Sequence, residues 1–599
     1  MCMIQYIAIF ILFFIYIHYW RRNRDEIVPN WPIIGMVPSF VRHVSDFNDF
    51  ATLVLKRHGG TFRFQGPWFT NTSFIVTADP MNVDHISGKN FGNYGKGSNF
   101  QEIFDFFGDG IINSDHDWKE KRTMYHLILK GKSFKKMLHQ TIQKKVENCL
   151  LPFLKDVCEE GVEVDLQDAL NRFTFDTNCN IVFGFDPNTL PNKFSELREI
   201  AYQKSLPVIE EVIFYRHFIP TCLWRLQKWI HVGQEKKFKI AQQNLDRFLY
   251  ESITFSKQEQ SKSEKIDECY FDLVETLEKE GYGKGKIGEK FLRDIILNIL
   301  VAGNGTISSG LSWFFWLVST HPIVEAKIIQ EIKDNCITQN ENWSISKVED
   351  LDKLVYLHGA ICEALRLYPP IPFEHMCAIK SNILPSGDGV SENTMVMYSL
   401  YAMGRMEQIW GEDCMEFKPE RWISETGHII RVPSYEFIAF HTGPRSCLGK
   451  DISFFQMKMV AASILWKFHI QVVEGHPITP RLSIVLRMKH GLKPNIADKG
   501  IWKHDASGGY SVSSAYQLLT TKEIFDEVAT SDLIWHKRVP LKVSVLAWRF
   551  VRNRLPTRDN MVRRNIIQHG SHLCVIGCGG SESAHHLFLY CPVLAPFGV

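Results

Sequence analysis

Phe440-His441-Thr442-Gly443-Pro444-Arg445-Ser446-Cys447-Leu448-Gly449 is the stretch that decides how this 599-residue chain folds. It fits the spacing F-x-x-G-x-R-x-C-x-G, one cysteine set between two glycines and preceded by an arginine. A cysteine standing alone is most often an inert, buried small hydrophobe. The company of Cys447 reverses that expectation, because glycine lets backbone approach a neighbour closely and arginine offers an anion a rigid fork of donors. Upstream, Glu363-Ala-Leu-Arg366 sets opposite charges three residues apart on one helix face, and Phe417-Lys-Pro-Glu-Arg421-Trp follows it. Further back, Ala302-Gly303-Asn304-Gly305-Thr306-Ile307 interrupts the apolar run 291–318, which predicts a buried helix with a local distortion. Arg293, Asp294 and Asn298 argue against a membrane span there. Trp118-Lys-Glu-Lys-Arg122 puts an aromatic ring and a guanidinium on one side of a helix.

The rest of the chain supplies a setting for these motifs. With 45% hydrophobic and 22% charged residues it is globular with a large core, which excludes a disordered or fibrous protein. A net charge of +2 gives no global argument for nucleic acid or an acidic partner. Fourteen scattered cysteines suit reduced thiols or metal ligands, hence a cytosol-facing body. Residues 3–20 form an apolar and aromatic run followed by Arg21, Arg22 and Arg24. A bilayer core needs about 20 such residues, and basic flanks stay on the cytoplasmic side, so an N-terminal transmembrane helix is expected. A cleaved signal peptide is the competing reading, but the basic residues follow the apolar run instead of preceding it.

Residues 28–37, with two prolines and a glycine, read as a stiff hinge between span and body. Alternating apolar residues predict short strands near 61–66 and 73–77, whereas most later segments carry helical spacing. The stretch 256–290 is rich in Lys, Glu, Gly and Ser and reads as a solvated loop with frayed helix ends. The expected fold class is therefore mainly α with small β-sheets. The character changes around Pro494 to Gly500, giving domains at 1–27, 28–499 and 500–599.

On these residues, 1–495 resembles the cytochrome P450 family, and Phe440 to Gly449 resembles its heme-binding loop. The resemblance implies the P450 fold and heme b, with Cys447 as axial thiolate ligand of the iron. A thiolate ligand pushes electron density onto heme iron and favours cleavage of the O–O bond. Phe440, Gly443, Arg445 and Gly449 would complete the loop, with Arg445 on a propionate. Trp118 and Arg122 would contact a propionate, as would His375, although a satisfied structural histidine is an equal reading of that residue. Glu363, Arg366 and Arg421 would form the family's structural network behind the loop. The segment 302–307 resembles the family's oxygen-activating helix, usually written AGxDTT, and assigns Thr306 a catalytic role. Gly305 replaces the acid and Ile307 the second threonine. Acid assistance is typically worth about 10²–10⁴-fold, so the departure puts coupling in doubt, and Gly305→Asp is expected to raise it. A threonine bonding back to a carbonyl one turn earlier is the competing reading of Thr306.

Asn30-Trp-Pro-Ile-Ile-Gly-Met, Gly66-Pro-Trp-Phe-Thr-Asn and Leu311-Ser-Trp-Phe-Phe-Trp-Leu resemble the plant P450 group that hydroxylates long-chain fatty acids and alkanes. That implies O2, a lipid-soluble substrate and an NADPH-cytochrome reductase. It also implies a single-pass protein of the endoplasmic reticulum membrane with its catalytic domain in the cytosol. Ile371-Pro-Phe373 lies where family members often approach substrate.

Beyond residue 500 the text resembles the zinc-binding region of plant retroelement reverse transcriptases, and a small α-rich segment is expected. Cys574-x3-Cys578-x7-His586-x4-Cys591 has spacing suited to a tetrahedral structural zinc, with His585 as an alternative ligand. Basic residues and tryptophan interleave from Lys537 to Arg564, a pattern that suits phosphate backbones but more often marks a solvated face, so nucleic acid is not an expected partner. Two rival readings remain at this level: a catalytically impaired heme-binding chimera, and a tail that binds nucleic acid.

Overall fold

The computed structural model describes residues 2–68, 70, 72–262, 273–279, 285–336, 348–498, 549, 555–563, 573–584 and 586–592. The chain divides into two compact units, Met1–Asp498 and Lys499–Val599.

The first unit is mainly helical, and its axis is the 36-residue helix Gly285–Thr320. This helix is long and apolar enough to cross a membrane, yet 78% of its most apolar window is buried inside the unit. Its polar residues explain the difference, since each is spent on a protein partner. Arg293 pairs with Asp246 and Asp294, and Asn298 accepts from Ile112 N at 3.0 Å and donates to Phe107 O at 3.0 Å. The Leu166–Phe183 helix lies against it, buried along nearly its whole length. Three core residues of the long helix, Leu311, Phe314 and Phe315, are 0–1% exposed.

Strands β1 (Thr61–Gln65), β2 (Ser73–Thr77), β3 (Tyr94–Gly95), β4 (Phe373–Ala378) and β7 (Met395–Ser399) form one sheet in the order β1-β2-β7-β4-β3. β1 and β2 are antiparallel with Phe64 opposite Phe74, and β4 is antiparallel to β7 with His375 opposite Met397. Strands β5 (Asn382–Ile383) and β6 (Gly389–Val390) form one small ladder, and β8 (Phe468–Val472) and β9 (Pro494–Asp498) another. β1 and β2 coincide with the strands that alternation predicts.

Three expectations are corrected. The long helix continues without a break through residues 302–306. Gly303 and Gly305 do not distort it; they let neighbours approach, a Cβ at 303 lying 2.9 Å from Asn178 Nδ2. The lysine- and glutamate-rich stretch is not all solvated, because Leu273–Lys279 is helical and buries Leu273, Val274 and Leu277 at apolar spacing i, i+1, i+4. The expected hinge is docked: Val28 packs with Phe50 and Val54, and Gly35, at φ 62°, sits where a Cβ would be 2.4 Å from Gln65 O.

The N-terminal helix Cys2–Asn23 presents Tyr6, Phe10, Phe13, Phe14, Tyr16 and Trp20 outward. In the second unit the described helices are Arg558–Arg563 and a π turn at His586–Tyr590, with an isolated bridge between Leu573 and Ser581. His585 and most of the basic, tryptophan-bearing stretch 537–564 lie outside the described residues.

Candidate heme site and zinc cluster

The cysteine loop is shaped by short-range backbone bonds. Cys447 N donates to Phe440 O at 2.8 Å and Ser446 N to Gly443 O at 3.0 Å, closing a 3-10 turn at Gly443–Arg445. Gly443 has φ 70°, and a Cβ there would lie 1.8 Å from Ser87 O, so only glycine fits. Gly449 caps the Lys450–Lys467 helix, placing Cys447 just before a helix N-terminus. Burial pushes the Cys447 thiol up, while the Gly449 N–H and the charges of Arg122 and Lys450 pull it down.

Cys447 presents open surface although protein crowds it, and Ala302 is exposed in the middle of a buried helix. Open surface on so crowded a residue sets the Cys447 sulfur against internal space. Around the loop the cationic groups gather. Arg445 donates to Ser114 O at 3.0 Å and to Asp115 Oδ1 at 2.8 Å, and its guanidinium lies 4.7 Å from the Trp118 ring. Arg122 Nη2 donates to Ser446 Oγ at 3.3 Å. His375 is 3% exposed on β4, and burial, helped by His217 and Lys96, holds its pKa well below the usual histidine range.

Four buried polar atoms here have no hydrogen-bond partner among the described residues: Arg445 Nε, both ring nitrogens of His375, and His441 Nε2. An unsatisfied buried group costs about 1–3 kcal/mol, so such a cluster marks a place built for a polar ligand. A planar dianionic macrocycle with an iron seeking a thiolate fits this donor set: a sulfur facing internal space, with arginine, tryptophan and histidine donors near it. Sequence reasoning missed His441, Lys96, Ser114 and Asp115. His441 occupies a variable position of the motif, and the others lie 279 to 331 residues from the groups they meet.

Behind the loop Glu363 and Arg366 form a buried, two-point pair, Nε to Oε2 at 2.8 Å and Nη2 to Oε1 at 2.7 Å. Arg421 Nε reaches the same carboxylate at 3.3 Å and Trp422 Nε1 at 2.8 Å. Arg366 further donates to the carbonyls of Gly404, Cys414 and Glu416. The pair therefore gathers the chain on the N-terminal side of the cysteine loop. On the long helix, Thr306 Oγ1 donates to Ala302 O at 2.6 Å, the bond back one turn that sequence allows. Phe373, from the 371–373 region, lines an apolar cavity with Phe40, Phe47, Phe64, Phe74 and Phe218, and every other residue around that cavity is apolar too.

In the second unit Cys574, Cys578, His586 and Cys591 offer ligand atoms that all lie within 4.8 Å of one another. Cys578 Sγ is 2.9 Å from His586 Nε2. The edge of a Cys3His zinc tetrahedron is about 3.5–3.8 Å from Zn–S and Zn–N lengths near 2.3 and 2.0 Å, so the set fits one ion. Glu582, 6% exposed, accepts from Val575 N at 2.7 Å and Arg558 N at 3.1 Å, tying the knuckle to the Arg558–Arg563 helix.

Comparison with known proteins agrees with both halves. A family pattern described as cytochrome P450 matches residues 27–493, and one described as zinc-binding in reverse transcriptase matches residues 510–596. The chain is similar to an alkane hydroxylase, MAH1, of Arabidopsis thaliana, 39% identical over 83% of this chain and 100% of that protein. It is also similar to a noroxomaritidine synthase 2 of Narcissus pseudonarcissus, 38% identical over 83% and 96%, and to cytochrome P450 86B1 of Arabidopsis thaliana, 36% over 85% and 92%.

Proposed function

The chain belongs to the cytochrome P450 family, and from that premise we propose that it hydroxylates a long-chain aliphatic substrate, a fatty acid or an alkane. It is a heme-thiolate monooxygenase; what is proposed is the substrate and the role of each residue. Cys447 would hold the heme iron through its thiolate, and Trp118, Arg122, Arg445 and His375 would hold the propionates. When bound, the heme supplies oxygen activation, with the thiolate donating electron density to the iron. The chain's own groups do the rest. Asp115 and Trp118 fix the Arg445 fork, and the Gly449 N–H steadies the sulfur. The Thr306 hydroxyl, turned from Ala302 O toward the internal space, offers a proton there.

The observation that supports the substrate class is a small cavity beside Phe373 lined wholly by apolar residues, eight of them phenylalanines. Burial of aliphatic surface is worth about 25 cal/mol per Å², so such a lining favours an aliphatic group over a polar one. The identities to the alkane hydroxylase and to the noroxomaritidine synthase, 39% and 38%, do not separate substrate classes. The exposed aromatic residues of Cys2–Asn23, followed by Arg21, Arg22 and Arg24, support a single-pass anchor in the endoplasmic reticulum with the body in the cytosol. Electrons then come from an NADPH-cytochrome reductase in the same membrane. In the tail, Cys574, Cys578, His586 and Cys591 hold a structural zinc.

The test is a carbon-monoxide difference spectrum of the reduced full chain, then turnover with fatty acids and alkanes of increasing length. A thiolate-type Soret band that Cys447→Ser abolishes, with hydroxylated product from either series, is the expected result. A band without aliphatic product, while an aromatic amine or sterol is oxidised, overturns the substrate reading. Gly305 favours a second reading, an impaired oxygenase, which is distinguished by peroxide release replacing product.

A further inference from the structure

Position 305 carries no acid, but a carboxylate stands beside it. A Cβ at Gly305 would lie 2.9 Å from Arg487 Nη2 and 3.0 Å from Glu210 Oε1. The space a side chain at 305 would enter is thus filled by an ion pair brought from two other parts of the fold. Glu210 belongs to the Ala201–Phe218 helix and is 1% exposed, and Arg487 lies between β8 and β9 and is 5% exposed. They meet at two points, Nε to Oε2 at 2.9 Å and Nη2 to Oε1 at 3.1 Å. Arg487 Nη1 also donates to Asn171 Oδ1 at 3.1 Å, and Ser308 Oγ donates to the same oxygen at 3.4 Å. The pair is therefore clamped to the turn of the long helix that carries Thr306.

Stability does not account for such an arrangement. Desolvating two ions is costly, and apolar replacements of buried pairs are often neutral or stabilising. Glycine at 305 has a matching explanation, because even alanine would crowd both charged groups. We infer that Glu210, aimed by Arg487, is the acid of the proton path to Thr306, supplied from a neighbouring helix instead of from position 305.

The family reaction sets the balance: substrate C–H, O2, two electrons from the reductase and two protons give substrate C–OH and one water. The protons must reach a buried site. Glu210 takes one from water and passes it toward the Thr306 hydroxyl, which is reprotonated as its own proton leaves for the oxygen. Arg487 is a positioning residue that keeps the carboxylate against Gly305.

A consequence separates this reading from one based on sequence alone. Gly305→Asp in the natural background puts its Cβ 3.0 Å from Glu210 Oε1 and brings a second carboxylate to one arginine, where crowding and like-charge repulsion lower the thermal midpoint instead of improving coupling. With Glu210→Ala added, which clears the space a side chain at 305 would enter, the carboxylate introduced at position 305 takes the Arg487 fork and the midpoint recovers.

The experiment measures four heme-loaded full-length chains: natural, Glu210→Gln, Gly305→Asp, and the double variant that joins Gly305→Asp to Glu210→Ala. Thermal midpoint is read for each, and the partition of electrons between product and hydrogen peroxide is read with any substrate the natural chain oxidises. Glu210→Gln is expected to raise the peroxide-to-product ratio at least about 10-fold and lower kcat, with KM within twofold and the substrate-induced spectral shift intact. The double variant restores both midpoint and partition. An unchanged partition in Glu210→Gln overturns the inference, as does a double variant that recovers its midpoint but not its coupling. If Glu210→Gln does not fold because Arg487 is left unpaired, the double variant decides alone. The thermal comparison needs no substrate, so failure of the aliphatic reading leaves it intact.

Discussion

Replacing Arg366 by Met tests whether the network behind the cysteine loop is structural. Glu363, 0% exposed, would lose its two-point partner and keep Arg421 Nε at 3.3 Å, Trp422 Nε1 at 2.8 Å and Lys418 N at 3.2 Å. Removing one member of a buried pair costs about 3–5 kcal/mol. The carbonyls of Gly404, Cys414 and Glu416 also lose a charged donor, and a single unsatisfied carbonyl adds about 1–3 kcal/mol. A loss of at least about 4 kcal/mol is a large part of the roughly 5–15 kcal/mol that holds a domain folded. Thermal unfolding followed at the Soret band and by far-UV circular dichroism should therefore fall by roughly 5–15 °C, or no heme protein should be recovered. Arg366→Lys should rescue little, since an ammonium cannot span both carboxylate oxygens and three carbonyls. A midpoint within about 2 °C of the natural chain for Arg366→Met, with roughly full heme content, would refute the reasoning from buried pairing.

Gly443→Ala should abolish heme incorporation, because φ is 70° and the new Cβ falls 1.8 Å from Ser87 O; a normal spectrum from that variant would show that the loop can reshape. Acid should weaken the first unit. His217 and His358 are driven by burial from 6.5 to about 4 and about 3, so the unfolded chain takes up their protons first. Their stabilisation is complete above pH 6.5 and declines as pH falls toward 4, by at most about 1.4 kcal/mol per pH unit for each group. A flat urea midpoint between about pH 7.5 and 5 would contradict this, and His358→Gln should shallow the slope. The full chain should carry one zinc besides heme iron, measured by mass spectrometry of metals after gel filtration in chelator. Cys591→Ser, removing a ligand that is 0% exposed, should drop zinc at least about 10-fold, and equal zinc in both proteins would refute the assigned ligands.

Local spacing carried a great deal of this protein. The Phe440 to Gly449 loop, the Glu363–Arg366 pair and the Cys574 to Cys591 cluster are motifs in which neighbouring residues must fold together, so short stretches of text reveal them. The strands at 61–65 and 73–77 were legible for the same reason, since a period of two belongs to the strand itself. The helix Leu273–Lys279 was misread because charged residues around it hid three apolar positions that only a core neighbour makes decisive. Tertiary structure alone decided what faces each motif. Asp115 reaches Arg445 across 330 residues, and Glu210 reaches Arg487 across 277. Periodicity states which face of an element is apolar and leaves open which distant group will be packed against it. Gly305 shows the difference: read along the chain it is a missing acid, whereas in the folded protein it is the opening through which another helix presents one.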